Sequence, residues 1–233
     1  MARDYLQVEY DVNRRPATTY PDLLARHIAQ LTGMRAGDAL LEVGSGRAEV
    51  ARGFVGLGIH VTAVDSAPSA RDHALQAGVN FIEATIERGT TLPVPPESQD
   101  FVFSKSFVEH LREPVAFLET CRALLKPGGM VICLTPDWET NYRIFFDDVT
   151  HVTPFSRATM RQALELSGYN KIESFRFRQL PITWRNPVVN LTSAALAPLV
   201  PPRTTNKFLR WSRELMLCGL GRRPLSETDE IDE

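Results

Sequence analysis

Leu40-Leu41-Glu42-Val43-Gly44-Ser45-Gly46-Arg47-Ala48, followed by Val61-Thr62-Ala63-Val64-Asp65, decides the reading of this chain. The first run has the form of a buried strand, a glycine turn and a helix start. The second is another buried strand that ends in an acid. Such a unit builds a nucleotide-sized pocket above a parallel sheet. Gly44 and Gly46 can take turn geometry and expose backbone N–H groups to a ligand. Asp65, about 20 residues on, stands where it can accept hydrogen bonds from two ribose hydroxyls. A glycine turn alone is a weak signal, since a tight turn needs no ligand. The strand setting and Asp65 tip the balance towards a binding site.

Outward from this unit the chain alternates. Helical periodicity from Asp22 (Leu23, Leu24, Ile28, Leu31) is stopped by Gly33. Strands are expected at 39–43, 59–64, 79–84, 100–103 and 130–135. Helices are expected at 49–57, 67–76 and 113–124, with a break at Lys126-Pro127-Gly128-Gly129. The strands are continuous apolar runs, as buried parallel strands are, so the pattern predicts a doubly wound α/β sheet. After Pro136 comes an aromatic and acidic stretch, 137–152. Ser156 then resembles a helix cap for a helix to Leu166, and 171–177 is a further strand. Residues 181–202 are apolar and punctuated by proline. Asn206 to Leu220 reads as an amphipathic helix with Phe208, Leu209, Leu215 and Met216 on its apolar face.

The 233 residues, 43% hydrophobic, suffice for one sizeable core. The division expected is an N-terminal arm and helix (1–35), a core with an acceptor-side insertion (36–180), a basic apolar C-terminal segment (181–225) and an acidic disordered tail (226–233). The net charge of −2 gives no whole-surface footprint for nucleic acid. It hides an asymmetry. Lys171 to Leu225 holds ten Lys or Arg against two Asp or Glu, whereas Ser226 to Glu233 holds five acids and no base. The basic segment would attract anions. Cys121, Cys133 and Cys218 are dispersed and fit core thiols of a reducing, cytoplasmic compartment. The N-terminus has no secretory signal pattern, and no run reaches the ~18 apolar residues of a spanning helix.

Glu42 and the missing third glycine depart from the dinucleotide fingerprint. A carboxylate at the strand end disfavours a pyrophosphate and suits a cationic ligand. The choice therefore moves from NAD towards a sulfonium-bearing or amine-bearing nucleoside. Four segments in order then resemble class I S-adenosylmethionine-dependent methyltransferases: Glu42-Val43-Gly44-Ser45-Gly46, Val64-Asp65-Ser66, Asp100 to Leu111, and Leu124-Leu125-Lys126-Pro127-Gly128-Gly129. The resemblance covers roughly residues 36–136. It implies a Rossmann-like α/β fold, a seven-stranded mixed sheet with helices on both faces and a reversed hairpin at its end. It also implies S-adenosylmethionine as cofactor. Glu42 would lie near the methionine amino group, Gly44, Ser45 and Gly46 along methionine and ribose, Asp65 at the ribose hydroxyls and Ser66 at the adenine. Ser104 and Ser106 would form the floor beneath the methyl donor. Where relatives carry Gly-Asp after strand three, this chain has Ala84-Thr85. The adenine contact then falls to the Thr85 hydroxyl or the Ile86 backbone.

Methyl transfer needs alignment and exclusion of water, and an alcohol acceptor profits from a base. His151 with Asp148 as orienting acid is the preferred base, and its surroundings, Phe146 to Ser156, resemble the post-strand-five region of small-molecule methyltransferases. His110 is the second candidate, against a role in capping or packing. Asp147, Asp148 and His151 could hold a divalent ion, but no metal site is expected. The expected function is methylation of a small polar or sugar-like acceptor, on oxygen. The alternatives are an N-methyltransferase, a lipid-linked acceptor, or a cofactor-binding scaffold without turnover. For the C-terminal segment, a soluble face, a substrate lid, a homodimer surface and a peripheral anionic surface all stay open.

Overall fold

A computed structural model describes residues 4–10, 16–201, 203–204 and 206–225. In chain order its elements are α1 (Tyr5–Glu9), α2 (Tyr20–Thr32), β1 (Ala39–Val43), α3 (Glu49–Val55), β2 (His60–Asp65), α4 (Ala70–Gln76), β3 (Asn80–Glu83), β4 (Gln99–Lys105), α5 (Pro114–Leu124), β5 (Leu125–Pro136), α6 (Trp138–Asn141), α7 (Arg157–Leu166), β6 (Asn170–Phe177), α8 (Pro181–Arg185), α9 (Pro187–Leu196), α10 (Lys207–Arg213) and β7 (Met216–Arg222). The strands form one sheet in the order β3-β2-β1-β4-β5-β7-β6. β1 to β5 run parallel, and β7 lies antiparallel between β5 and β6. This is the Rossmann-like mixed sheet expected.

Strand parity builds two cores. Leu40, Phe101, Phe103 and Ile132 point to one face, where they meet Leu24, Ile28 and Phe54 of α2 and α3. Leu41, Val102, Val131 and Cys133 point to the other, against Leu118, Cys121, Met160 and Leu164 of α5 and α7. Alternate residues of a strand must face opposite ways. An apolar run is thus what a strand covered on both faces requires.

The reading of Asn206 to Leu220 as one amphipathic helix is corrected. The helix ends at Arg213, and Met216–Arg222 is a strand inside the sheet. Met216, Cys218 and Leu220 pack on the first core, and Leu217 packs on the second. Gly219 and Gly221 also face the second core. A Cβ on Gly219 would stand 2.6 Å from the Met160 Cγ, and one on Gly221 would stand 3.0 Å from Tyr169. α7 and the Tyr169 that follows it lie directly on the bare backbone of β7. A short apolar run has no period long enough to separate helix from strand, and its place between β5 and β6 comes from pairing. The last part of the 181–225 segment therefore belongs to the core sheet. The acidic tail, 226–233, lies outside the described residues.

Ser156 caps α7 as expected, accepting from the Thr159 N–H at 3.2 Å. α2 ends at Gly33, whose φ of 79° is left-handed. The three cysteines are buried and unbridged. Among the described residues no helix is long and apolar enough to cross a membrane.

Candidate active site

The strand order reverses between β1 and β4, the place where an open α/β sheet leaves a crevice beyond its carboxyl ends. A cavity of about 320 Å³ opens there. Its base is the turn after β1. Gly44 has φ 74° and Gly46 φ 51°. The Gly44 N–H donates to the Val64 carbonyl at 2.8 Å, which docks the turn on β2. A Cβ on Gly44 would lie 2.5 Å from the Phe107 ring, so this glycine answers both a left-handed backbone and a close approach. Asp65 is held by the loops it joins. One carboxylate oxygen accepts from the Gly46 N–H at 2.7 Å and the other from the Ala67 N–H at 2.9 Å. Each oxygen keeps a lone pair for a further donor.

Glu42 is buried on the cavity wall, and one of its oxygens has no hydrogen-bond partner. Burial pushes its carboxyl up to about 8, and the nearby Lys105 charge pulls the other way. Glu109 is buried too. Burial pushes it up to about 7, although its Oε2 accepts from the Thr135 hydroxyl at 2.9 Å. Both groups are protonated in the native state over a range where the unfolded chain has released its protons. Stability from this source is complete below about pH 4.3, the ordinary glutamate value, and is lost as pH rises to about 7 for Glu109 and about 8 for Glu42. For Glu42 the loss is on the order of 3–5 kcal/mol. Denaturant melts of the ligand-free protein at several pH values should therefore give a shallower decline for Glu42→Gln than for wild type. Equal slopes would refute this account of Glu42.

Tyr5, Asp148, Thr150 and His110 form a hydrogen-bonded chain. Asp148, which hydrogen bonds from Thr150 hold ionised despite partial burial, accepts from the Thr150 hydroxyl at 2.6 Å and from the Tyr5 hydroxyl at 2.8 Å. Thr150 Oγ1 also lies 2.9 Å from His110 Nδ1. The threonine has one proton, and an ionised carboxylate can only accept. Thr150 therefore receives the His110 Nδ1–H, and Nε2 is left as the proton-accepting nitrogen. Burial, helped by the neighbouring His151, lowers the His110 pKa, so the ring is neutral at ordinary pH. The loop carrying Thr150 is fastened to the short 3-10 turn after β4, because Val152 and Thr153 N–H both donate to the Glu109 carbonyl.

Glu42, Gly44, Ser45, Gly46, Asp65, Ser66, Ile86, Ser106 and His110 all line the cavity. Thr85 and Ser104 do not. Thr85 is exposed, with its carbonyl accepting from Thr90. Ser104 is buried in the sheet, its hydroxyl 3.5 Å from Cys133 Sγ. His151 and Asp148 come within ion-pair reach but share no hydrogen bond. His151 Nδ1 donates to the Phe145 carbonyl at 2.7 Å, and its Nε2 is 3.9 Å from Asp148, beyond a hydrogen bond. His151 packs behind His110, ring centroids 4.8 Å apart. Asp147 pairs with Arg203 instead of joining a cation site with Asp148 and His151. Among the described residues, Glu109, His110 and His151 bring ligand atoms within 4.8 Å of one another, a donor set suited to a divalent cation.

Sequence reasoning missed the N-terminal roof. Tyr5, Leu6 and Tyr10 line the cavity. α1 is pinned on one side by Asp4, which accepts from the Ser69 hydroxyl at 2.7 Å, and on the other by the Tyr5–Asp148 bond. A signal was present, since Asp4-x-x-Gln7 is a capping box and marks a helix start. Nothing local marked Thr150.

Residues 41–133 match a family model described as a methyltransferase domain. The ubiquinone biosynthesis O-methyltransferase of Cereibacter sphaeroides (strain ATCC 17025) is 39% identical over 105 residues, which are 42% of this chain and 41% of that protein. The protein of the same name from Roseobacter denitrificans is 36% identical over the same shares. This chain holds a class I S-adenosylmethionine-dependent methyltransferase domain. The matched stretch spans less than half the length of these curated relatives. A S-adenosylmethionine-dependent methyltransferase from Archaeoglobus fulgidus shares the domain's fold, with a TM-score of 0.66 at 17% identity over 94% of this chain and all of that one. So does the phosphoethanolamine N-methyltransferase 2 of Haemonchus contortus, with a TM-score of 0.58 at 17% identity over 91% of this chain and 59% of that one. The methyltransferase domain fits its cofactor. The orphaned Glu42 oxygen offers an ammonium partner, the Gly44–Gly46 backbone leaves room, and Asp65 keeps acceptor capacity for ribose hydroxyls.

Proposed function

We propose that the chain is a S-adenosylmethionine-dependent methyltransferase that methylates an oxygen of a small polar or sugar-like acceptor. The observation that carries the reading is the His110–Thr150–Asp148 relay, of which His110 and Thr150 line the cavity. The O-methyltransferase names of the curated relatives support the same choice. When bound, the cofactor supplies a methyl group on an electrophilic sulfonium. Glu42, Gly44 and Asp65 would hold and orient it. His110 Nε2 takes the proton of the acceptor hydroxyl. Thr150 and Asp148 fix the tautomer that makes this possible, and Asp148 offsets the positive charge that then forms on the ring. Tyr5, Leu6 and Tyr10 exclude water from above. An amine acceptor would be nucleophilic while neutral and would need no such relay.

Calorimetry should show binding of S-adenosylmethionine and its demethylated product, with none of NAD. Asp65→Ala should weaken cofactor binding by about 1.5–3 kcal/mol, because a charged acceptor is lost from the ribose end. Tight NAD binding, or an unchanged affinity in Asp65→Ala, would count against the cofactor assignment to these residues. Release of the demethylated product should then be followed with panels of hydroxyl and amine acceptors. Turnover restricted to amines and indifferent to His110→Ala would exclude the oxygen reading.

A further inference from the structure

We infer that the segment from α8 to α10 is a docking surface for an anionic lipid bilayer. Residues 180–213 contain five Lys or Arg and no Asp or Glu. Within them α9 carries no charged residue and buries none of its side chains. Val188, Leu191 and Leu199 are 69%, 72% and 78% exposed. With exposed Ala195 they follow a spacing of three, four and four residues, one face of a helix carried into the turn that follows. A helix on a water-soluble surface turns that face inward. This one turns it out, although the segment is firmly attached. Arg178 donates to Asn190, the Trp184 indole N–H donates to the Arg178 carbonyl at 2.7 Å, and the Trp184 ring stacks on His27 at 4.4 Å.

Charge selects the occupant. Exposed Arg185 precedes the apolar face, and exposed Arg203 follows it with the Nη1 that its clasp on Asp147 leaves over, so an inserted stripe would have a guanidinium donor at each end for lipid phosphates. A second copy meeting the same face about a two-fold axis would set these bases against themselves, with no acid in the segment to offset them. Arg203 also clasps Asp147 with two hydrogen bonds, at 2.8 and 2.9 Å, which ties the surface to the loop that carries Asp148 and Thr150. The inference is independent of the acceptor and of the reaction.

Flotation of the full chain with vesicles tests it. Vesicles of equal parts phosphatidylcholine and phosphatidylglycerol should bind wild type about tenfold or more tightly than pure phosphatidylcholine, and less tightly at high salt. Leu191→Glu with Leu199→Glu should lower that binding by about tenfold or more. Its thermal midpoint and cofactor affinity should be unchanged, because both side chains are exposed. Arg185→Gln with Arg203→Gln should remove the preference for anionic vesicles. Wild type that stays behind when anionic vesicles float overturns the inference, as does a Leu191→Glu, Leu199→Glu variant that floats like wild type. A wild-type dimer in light scattering that this variant converts to monomer also overturns it, since the face would then belong to a second copy.

Discussion

His110→Ala lowers turnover by about 10²–10⁴-fold, the usual contribution of a positioned general base, while S-adenosylmethionine affinity stays near wild type. The separation is expected if, as proposed, Glu42, Gly44 and Asp65 bind the cofactor and His110, which lines the same cavity, faces the acceptor. His151→Ala costs less. Its Nδ1 is committed to the Phe145 carbonyl and its ring packs behind His110 instead of lining the cavity. Thr150→Val removes the acceptor that fixes the His110 tautomer, so it should reproduce part of the His110→Ala loss without touching the cofactor. The pH profile gives a second readout. Burial lowers the His110 pKa, so the acidic limb of turnover lies below the ordinary histidine range near 6.5 and activity holds at neutral pH. A His110→Ala enzyme with near-normal turnover on a hydroxyl acceptor would leave alignment alone as the source of catalysis. A wild-type enzyme silenced by a chelator and revived by a divalent cation would recast Glu109, His110 and His151 as its ligands.

Gly44→Val lowers folding stability by about 2–5 kcal/mol, the sum of a left-handed backbone imposed on a branched residue and an overpacked contact. Both costs are visible in the structure. Gly44 has φ 74°, and a Cβ there would fall 2.5 Å from the Phe107 ring. Cofactor binding should be lost as well, since the turn presents its backbone to the cavity. The two costs are separable. Phe107→Ala removes the contact at a packing cost of its own, so the stability lost on adding Gly44→Ala should be smaller in a Phe107→Ala background than in wild type but not zero, the remainder being the backbone cost. Denaturant melts measure this directly. A Gly44→Val protein as stable as wild type would mean that the turn tolerates another conformation.

The cofactor half of the site was readable because it is local. Glu42, Gly44, Ser45 and Gly46 lie within five residues, and Asp65 follows one βαβ step later, so strand length and turn chemistry alone bring them together. The acceptor half was readable only in outline. The stretch from Trp138 to Phe155 was expected to cover the acceptor, and of it Thr150 lines the cavity; which of His110 and His151 faces the cavity could not be read from spacing. It depends on which imidazole nitrogen meets Thr150 and which meets Phe145 O, and those contacts link residue 110 to residue 150 and residue 145 to residue 151 through a loop of no regular period. Thr85 shows the reverse failure. Its place after β3 suggested an adenine contact, yet the backbone there turns it to solvent while Ala84 and Ile86 face the cavity.

By itself the sequence determined the doubly wound sheet, the turn after β1, the acid at the end of β2 and the cap at Ser156, because each follows from apolar runs, glycine conformation or a side chain bonding a backbone a few residues away. The tertiary structure alone decided three things. It placed Met216–Arg222 between β5 and β6, where Gly219 and Gly221 admit Met160 and Tyr169. It laid α1 over the cavity through Tyr5 and Asp148, which are 143 residues apart. It turned the apolar stripe of α9 outward. All three rest on pairings between distant parts of the chain, and no local propensity encodes which distant surface a segment will meet.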